Sequence, residues 1–128
     1  MTVPSLLIVE DEGAFRELIT MALTFEGYEV RSVENGWEVL ETMRKSQPDL
    51  LILDLSMPRF SGWDILHSMR ADPLFQHIPV LVITANADEV TRRRAQTERV
   101  DGLLIKPVDI QEILAALQRI LGRLNPGG

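Results

Sequence analysis

The chain has 128 residues, 45% hydrophobic and 25% charged, which suits one globular domain with its own core and is too short for two. A net charge of −6 and a pI near 4.9 argue against direct nucleic-acid binding and against a membrane surface, since both grips need a basic face. The absence of cysteine excludes disulfides, thiolate metal sites and a cysteine nucleophile, and the apolar runs fall short of a membrane span.

The start of the chain lacks the basic and apolar pattern of a signal peptide, so a cytoplasmic location is expected. Leu6, Leu7, Ile8 and Val9 form a first candidate strand, running into Glu10-Asp11-Glu12. From Phe15 the apolar period becomes helical, with Phe15, Leu18, Ile19, Ala22 and Leu23 on one face and Gly27 as a left-handed stop. Tyr28 to Val33 alternates apolar and polar, the pattern of an edge strand exposed on one side. Asn35-Gly-Trp-Glu38 reads as a capped helix start, with Val39, Leu40 and Met43 inward and Pro48 ending the segment. Leu50 to Leu53 then run without a polar break into Asp54, as a strand covered on both faces does.

A further helix is expected from about Ser61 to Met69, with Ile65, Leu66 and Met69 inward and Asp72-Pro73 breaking it. Val80 to Ile83 make another continuous strand, ending at Thr84. Asn86-Ala-Asp-Glu89 repeats the cap pattern before a polar helix in which Val90 and Ala95 are almost the only apolar residues. Leu103, Leu104 and Ile105 form a short last strand, stopped by Lys106-Pro107. Asp109-Ile-Gln-Glu112 caps a closing helix with Ile110, Ile113, Leu114, Leu117, Ile120 and Leu121 on its inner face. The domain is expected to span residues 1–124, with 125–128 as a flexible tail.

Five strands alternating with five helices predict an α/β fold, a doubly wound parallel sheet with right-handed connections. The alternating strand suits one edge and the short last strand the other. The order 2-1-3-4-5 satisfies both, and it is the known flavodoxin-like arrangement, with its reversal between strands one and three. Ligands in such sheets collect beyond the carboxyl ends of the strands.

Taken singly, the residues at those ends have ordinary readings. Asp54 is either a reacting carboxylate or a helix cap, and Glu10 and Asp11 suit a helix N-terminus. Thr84 suits a strand end and Lys106 a solvated loop. The topology, however, brings them together. Glu10, Asp11 and Asp54 repel at roughly 4 kcal/mol per close pair for an effective dielectric near 20, so they take up a proton or hold a cation. An all-oxygen set favours a hard ion such as Mg²⁺. With Thr84 and Lys106 on the same rim, the group has the parts of a phosphoryl site in which Asp54 is the acceptor.

Ile8-Val9-Glu10-Asp11-Glu12, Leu53-Asp54-Leu55-Ser56-Met57-Pro58 with Gly62, Ile83-Thr84-Ala85 and Ile105-Lys106-Pro107 follow one another across nearly the whole chain. In that order and spacing they resemble the receiver domain of bacterial two-component response regulators. The resemblance implies that Asp54 accepts a phosphoryl group from a sensor histidine kinase or phosphotransfer protein. It further implies that Glu10, Asp11, Asp54 and the backbone carbonyl of Ser56 hold Mg²⁺. Thr84 and Lys106 would contact the phosphoryl oxygens, Ala85 would leave access, and the bond before Pro107 would be cis. The fourth helix, fifth strand and fifth helix would form a partner or homodimer surface.

Two departures stand out. Leu103 occupies the position where receivers usually carry Tyr or Phe, and Glu10 replaces the commoner aspartate. Ser56 and Asn86 match positions that tune dephosphorylation in the family. His67 and His77 read as surface residues, Trp37 and Trp63 as helix-packing residues, and Arg92 to Arg94 as a solvated helix face.

The expected function is a stand-alone phosphoacceptor switch without an output domain after Leu124. It would signal by docking to a downstream protein or passing the phosphoryl group on, and it would not be an enzyme in the turnover sense. Other classes fit less well. An aspartate-nucleophile phosphohydrolase of the haloacid-dehalogenase type wants a second aspartate where Ser56 stands. A flavin module wants small polar residues where Glu10-Asp11-Glu12 stands. A receiver-like interaction module independent of phosphate stays open because of Leu103.

Overall fold

Unbroken apolar runs become the centre of a parallel sheet because helices cover both of its faces. In the computed structural model, which describes residues 3–57 and 61–124, those runs are β1 (Ser5–Val9), β3 (Leu50–Asp54) and β4 (Val80–Thr84). Every residue of β3 and β4 is buried. The half-exposed β2 (Glu29–Val33) and β5 (Gly102–Ile105) lie at the two edges, and the sheet order is β2-β1-β3-β4-β5, parallel throughout. The flavodoxin-like order expected from the sequence is therefore the one adopted.

Side chains alternate across the sheet. Leu7, Val9, Leu51, Leu53, Val80 and Val82 pack against α2 (Trp37–Lys45) and α3 (Gly62–Ala71), with Phe75 fully buried beside them. Leu6, Ile8, Leu50, Ile52, Leu81 and Ile83 pack on the opposite face against α1 (Gly13–Phe25) and α5 (Ile110–Leu124). The remaining helix, α4 (Glu89–Thr97), contributes only Ala95 to the buried residues. No helix among the described residues is long and apolar enough to cross a membrane.

Local signals set most boundaries. Gly27 ends the α1 turn with φ +101°, a left-handed conformation that glycine adopts without Cβ strain. Ahead of α5, the Glu112 N–H donates to Asp109 Oδ1 at 2.9 Å and the Asp109 N–H donates back to Glu112 Oε1 at 3.3 Å, a reciprocal capping box.

The structure also corrects several expectations. Leu18, assigned to the inner face of α1, is exposed; Ile19 and Leu23 are the buried residues of that helix, with Phe15 partly buried against the same core. Trp37, read as a helix-packing residue, is exposed on α2. Asn86 does not cap α4. Asp88 does, accepting the Thr91 N–H at 2.8 Å, while Asn86 Oδ1 accepts the Asp88 N–H at 3.0 Å. Pro58 and the tail at 125–128 lie outside the described residues.

Candidate functional site

The strands end level with one another. Val9 pairs with Leu53, Asp54 with Ile83, and Thr84 with Ile105, so the next residues of four strands emerge on one rim. The buried polar or charged residues among those described are Glu10 at 2% exposure, Asp54 at 3% and Thr84 at 2%. All three sit at the carboxyl ends of the central strands. Buried polar side chains are costly unless partnered, and here each is partnered.

Lys106 Nζ donates to Glu10 Oε1 and to Asp54 Oδ2, both at 3.2 Å. Asp54 Oδ1 accepts the Ser56 N–H at 2.8 Å, and Glu10 Oε2 accepts the Glu12 N–H at 3.2 Å. Thr84 Oγ1 accepts the Asn86 N–H at 3.1 Å, and the Ala85 N–H reaches Ser56 Oγ at 3.5 Å. Exposed Asp11 completes an acidic group, its carboxylate lying within 4.8 Å of oxygens from Glu10 and Asp54. The expected residues Glu10, Asp11, Asp54 and Lys106 are thus brought together. Thr84 stands on the same rim, and Ser56 enters through its N–H. The Lys106–Pro107 peptide bond is cis, as the resemblance implied.

The backbone positions these groups beyond the sheet itself. The Leu55 N–H donates to the Ile83 carbonyl at 3.1 Å, and the Lys106 N–H donates to the Thr84 carbonyl at 2.8 Å. Gly62 lets α3 start close against this loop. A Cβ there would stand 2.8 Å from Leu55 Cα and 2.9 Å from the Asp54 carbonyl oxygen.

The electrostatics follow from this crowding. Burial, reinforced by the neighbouring Asp54 carboxylate, pushes the Glu10 carboxyl up from 4.5 to about 7. Burial alone would lower the Lys106 pKa, but Asp54 and Glu10 together outweigh it and hold it above the ordinary lysine value. Two buried carboxylates with one lysine, and a third carboxylate at the mouth, form an all-oxygen donor set still short of positive charge. That set fits a hard divalent cation such as Mg²⁺.

Two neighbours were not legible as site residues in the sequence. Lys106 Nζ lies over the Phe15 ring, 4.9 Å from its centroid. Arg16 donates to the Glu10 carbonyl at 2.9 Å while pairing with Glu34 at 3.7 Å. Their only sequence signal was nearness to Glu10-Asp11. Leu103 is half-buried against the core on the α2 and α3 side of the sheet.

Known proteins point the same way. The family model for the response regulator receiver domain matches residues 6–118. The chain is 32% identical over 123 residues to the phosphate regulon transcriptional regulatory protein PhoB of Pseudomonas aeruginosa, a match covering 96% of this chain and 54% of that protein. It is 36% identical over 122 residues to the response regulator MprA of Mycobacterium leprae, covering 94% of this chain and 52% of that one. The chain thus spans about half the length of these relatives.

A putative response regulator from Chloroflexus aurantiacus superposes with a TM-score of 0.88 at 32% identity, over 95% of this chain and 100% of that chain. The chemotaxis protein CheY4 of Vibrio cholerae superposes with a TM-score of 0.87 at 26% identity, over 93% and 99%. With a family match over most of its length and a flavodoxin-like sheet carrying an acidic rim, this chain belongs to the response regulator receiver domain family.

Proposed function

We propose that this receiver domain accepts a phosphoryl group on Asp54 from a histidine kinase or a phosphotransfer protein and signals through contacts with another protein. Receiver domains are signalling switches that bind Mg²⁺ at an acidic pocket and interact with such donors. The observation that carries the reading for this chain is the setting of Asp54. Its carboxylate is buried at the end of β3, with Oδ1 on the Ser56 N–H, Oδ2 on Lys106 Nζ, and Glu10 and Asp11 within metal-sharing distance.

In the transfer, an Asp54 carboxylate oxygen forms a bond to phosphorus. The P–N bond to the donor histidine breaks, and the imidazole leaves with that electron pair. Lys106, already paired with Asp54, neutralises a phosphoryl oxygen as the acyl phosphate forms, and the Thr84 hydroxyl donates to another. Glu10, Asp11, Asp54 and the Ser56 carbonyl are the residues that would hold Mg²⁺. Bound there, the ion neutralises charge on the transferring group. Ser56 and Asn86 flank the site and bear on how long the acyl phosphate lasts. The face formed by α4, β5 and α5 serves a partner or a second copy.

Incubation with acetyl phosphate and Mg²⁺, followed by intact mass measurement, tests the reading. Wild-type protein should gain one labile phosphoryl group, and Asp54→Asn should gain none. A folded wild type that stays at its original mass overturns the phosphoacceptor reading and favours a phosphate-independent interaction module.

A further inference from the structure

We infer that Phe15 is a positioning residue for Lys106, its ring face holding the ammonium in place between Glu10 and Asp54. The inference rests on the phosphoacceptor reading and deepens it. Lys106 follows the edge strand β5 on a flexible four-carbon stem, and its side chain is 23% exposed. Such a lysine has many solvated rotamers, and confining it costs conformational entropy. Among the described residues, the Glu10 and Asp54 carboxylates lie 3.2 Å from Nζ and the Phe15 ring 4.9 Å from it.

The two carboxylates are the working parts of the site, and Asp54 gives up an oxygen to phosphorus during transfer. The ring changes neither charge nor bonding, so its attraction for the cation persists in every state of the site.

The placement of Phe15 supports this role. It lies in the first turn of α1 and packs half-buried against the α1 and α5 core, which fixes the ring plane. Together with Leu18, Pro107 and Val108 it also walls an apolar hollow of about 470 Å³ that reaches Lys106 and Glu12. A leucine at position 15 fills similar space but presents no negative ring face.

The test measures phosphorylation by acetyl phosphate, a donor too small to need a docking surface, in Phe15→Leu and Phe15→Trp, each alone and combined with Lys106→Met. Phe15→Leu should be about fivefold slower than wild type, the equivalent of ~1 kcal/mol, and Phe15→Trp should stay within about twofold. In the Lys106→Met background Phe15→Leu should cost nothing further. In nuclear magnetic resonance spectra of the unphosphorylated protein, the Lys106 ε-methylene protons should be shifted upfield by the ring. That shift should vanish in Phe15→Leu while the strand amides stay unmoved.

The inference is overturned if Phe15→Leu matches wild type, if its deficit persists in the Lys106→Met background, or if wild type lacks the Lys106 shift. Should Phe15→Leu fail to fold, the wild-type shift and the Phe15→Trp rate decide the matter. A wild type that takes no phosphoryl group but shows the shift overturns the phosphoacceptor reading and leaves the contact standing.

Discussion

Burial separates three acids that look alike in the sequence. Asp11 is exposed, whereas Glu10 and Asp54 are sealed under the strand ends with one lysine between them. The Glu10 carboxyl, pushed up from 4.5 to about 7 by burial and by Asp54, keeps its proton in the folded protein over a pH range where the unfolded chain has released it. The fold therefore binds more protons than the unfolded chain in that window, and metal-free stability should fall as pH rises through it. Lys106 is raised above its usual value, so its contribution is lost only above the ordinary lysine range and does not blur this window. Urea denaturation with a chelator present should show the decline between about pH 5 and 7.5. Glu10→Gln should remove it and be the more stable protein at pH 8, by up to a few kcal/mol. Parallel curves for the two proteins would contradict this account of Glu10.

At the level of single elements, two glycines have opposite requirements. Gly62 opens α3 where a Cβ would meet the Leu55 and Asp54 backbone below 3 Å, and backbone cannot swing aside as a side chain can. Gly62→Ala should therefore cost about 1–3 kcal/mol and slow phosphorylation, because relief requires moving the backbone at Asp54 and Leu55, where β3 ends. Gly122, near the end of α5, has nothing among the described residues within 4 Å of the same position. Gly122→Ala should raise the melting temperature, by up to about 1 kcal/mol in stability, since alanine is the better helix former. Equal shifts of the same sign in thermal melts would undo the argument for Gly62. Gly62 was legible as a motif residue, but the contact that requires glycine there was not, since it depends on how closely α3 approaches the β3 loop.

Across the whole molecule, α4 is held less by apolar packing than by a polar stripe on α3. Arg94 lies over the Trp63 ring at 4.7 Å, and His67 Nδ1 sits 3.3 Å from Glu98 Oε1. Arg70 donates to the Glu98 carbonyl at 3.1 Å and to the Arg99 carbonyl at 2.9 Å. It also reaches the Gln76 carbonyl at 3.1 Å and the Ile78 carbonyl at 2.8 Å, tying the approach to β4 to the end of α4. Trp63, His67 and Arg70 recur at helical spacing, so one face of α3 makes every one of these contacts. Arg70→Met should strip those carbonyls of their donor and cost about 3 kcal/mol. Hydrogen exchange should then quicken first in α4 and β5. Uniform loss of protection would mean that Arg70 supports the core as a whole and not this corner.

What the sequence determined by itself was whatever depends on chain neighbours. Continuous Leu50–Leu53 and Val80–Ile83 mark central strands, Gly27 and Asp109 mark helix ends, and the alternation of elements leads to the sheet order. The sheet order in turn gathers Glu10, Asp54, Thr84 and Lys106 on one rim. Leu18 misled because helical period reports a face without saying how wide the covering sheet is. Tertiary structure alone decided which carboxylates are buried, that burial pushes the Glu10 carboxyl up, and that the Phe15 ring stands against Lys106. Desolvation and distances between residues far apart in the chain arise only when the whole sheet and both helical layers are in place.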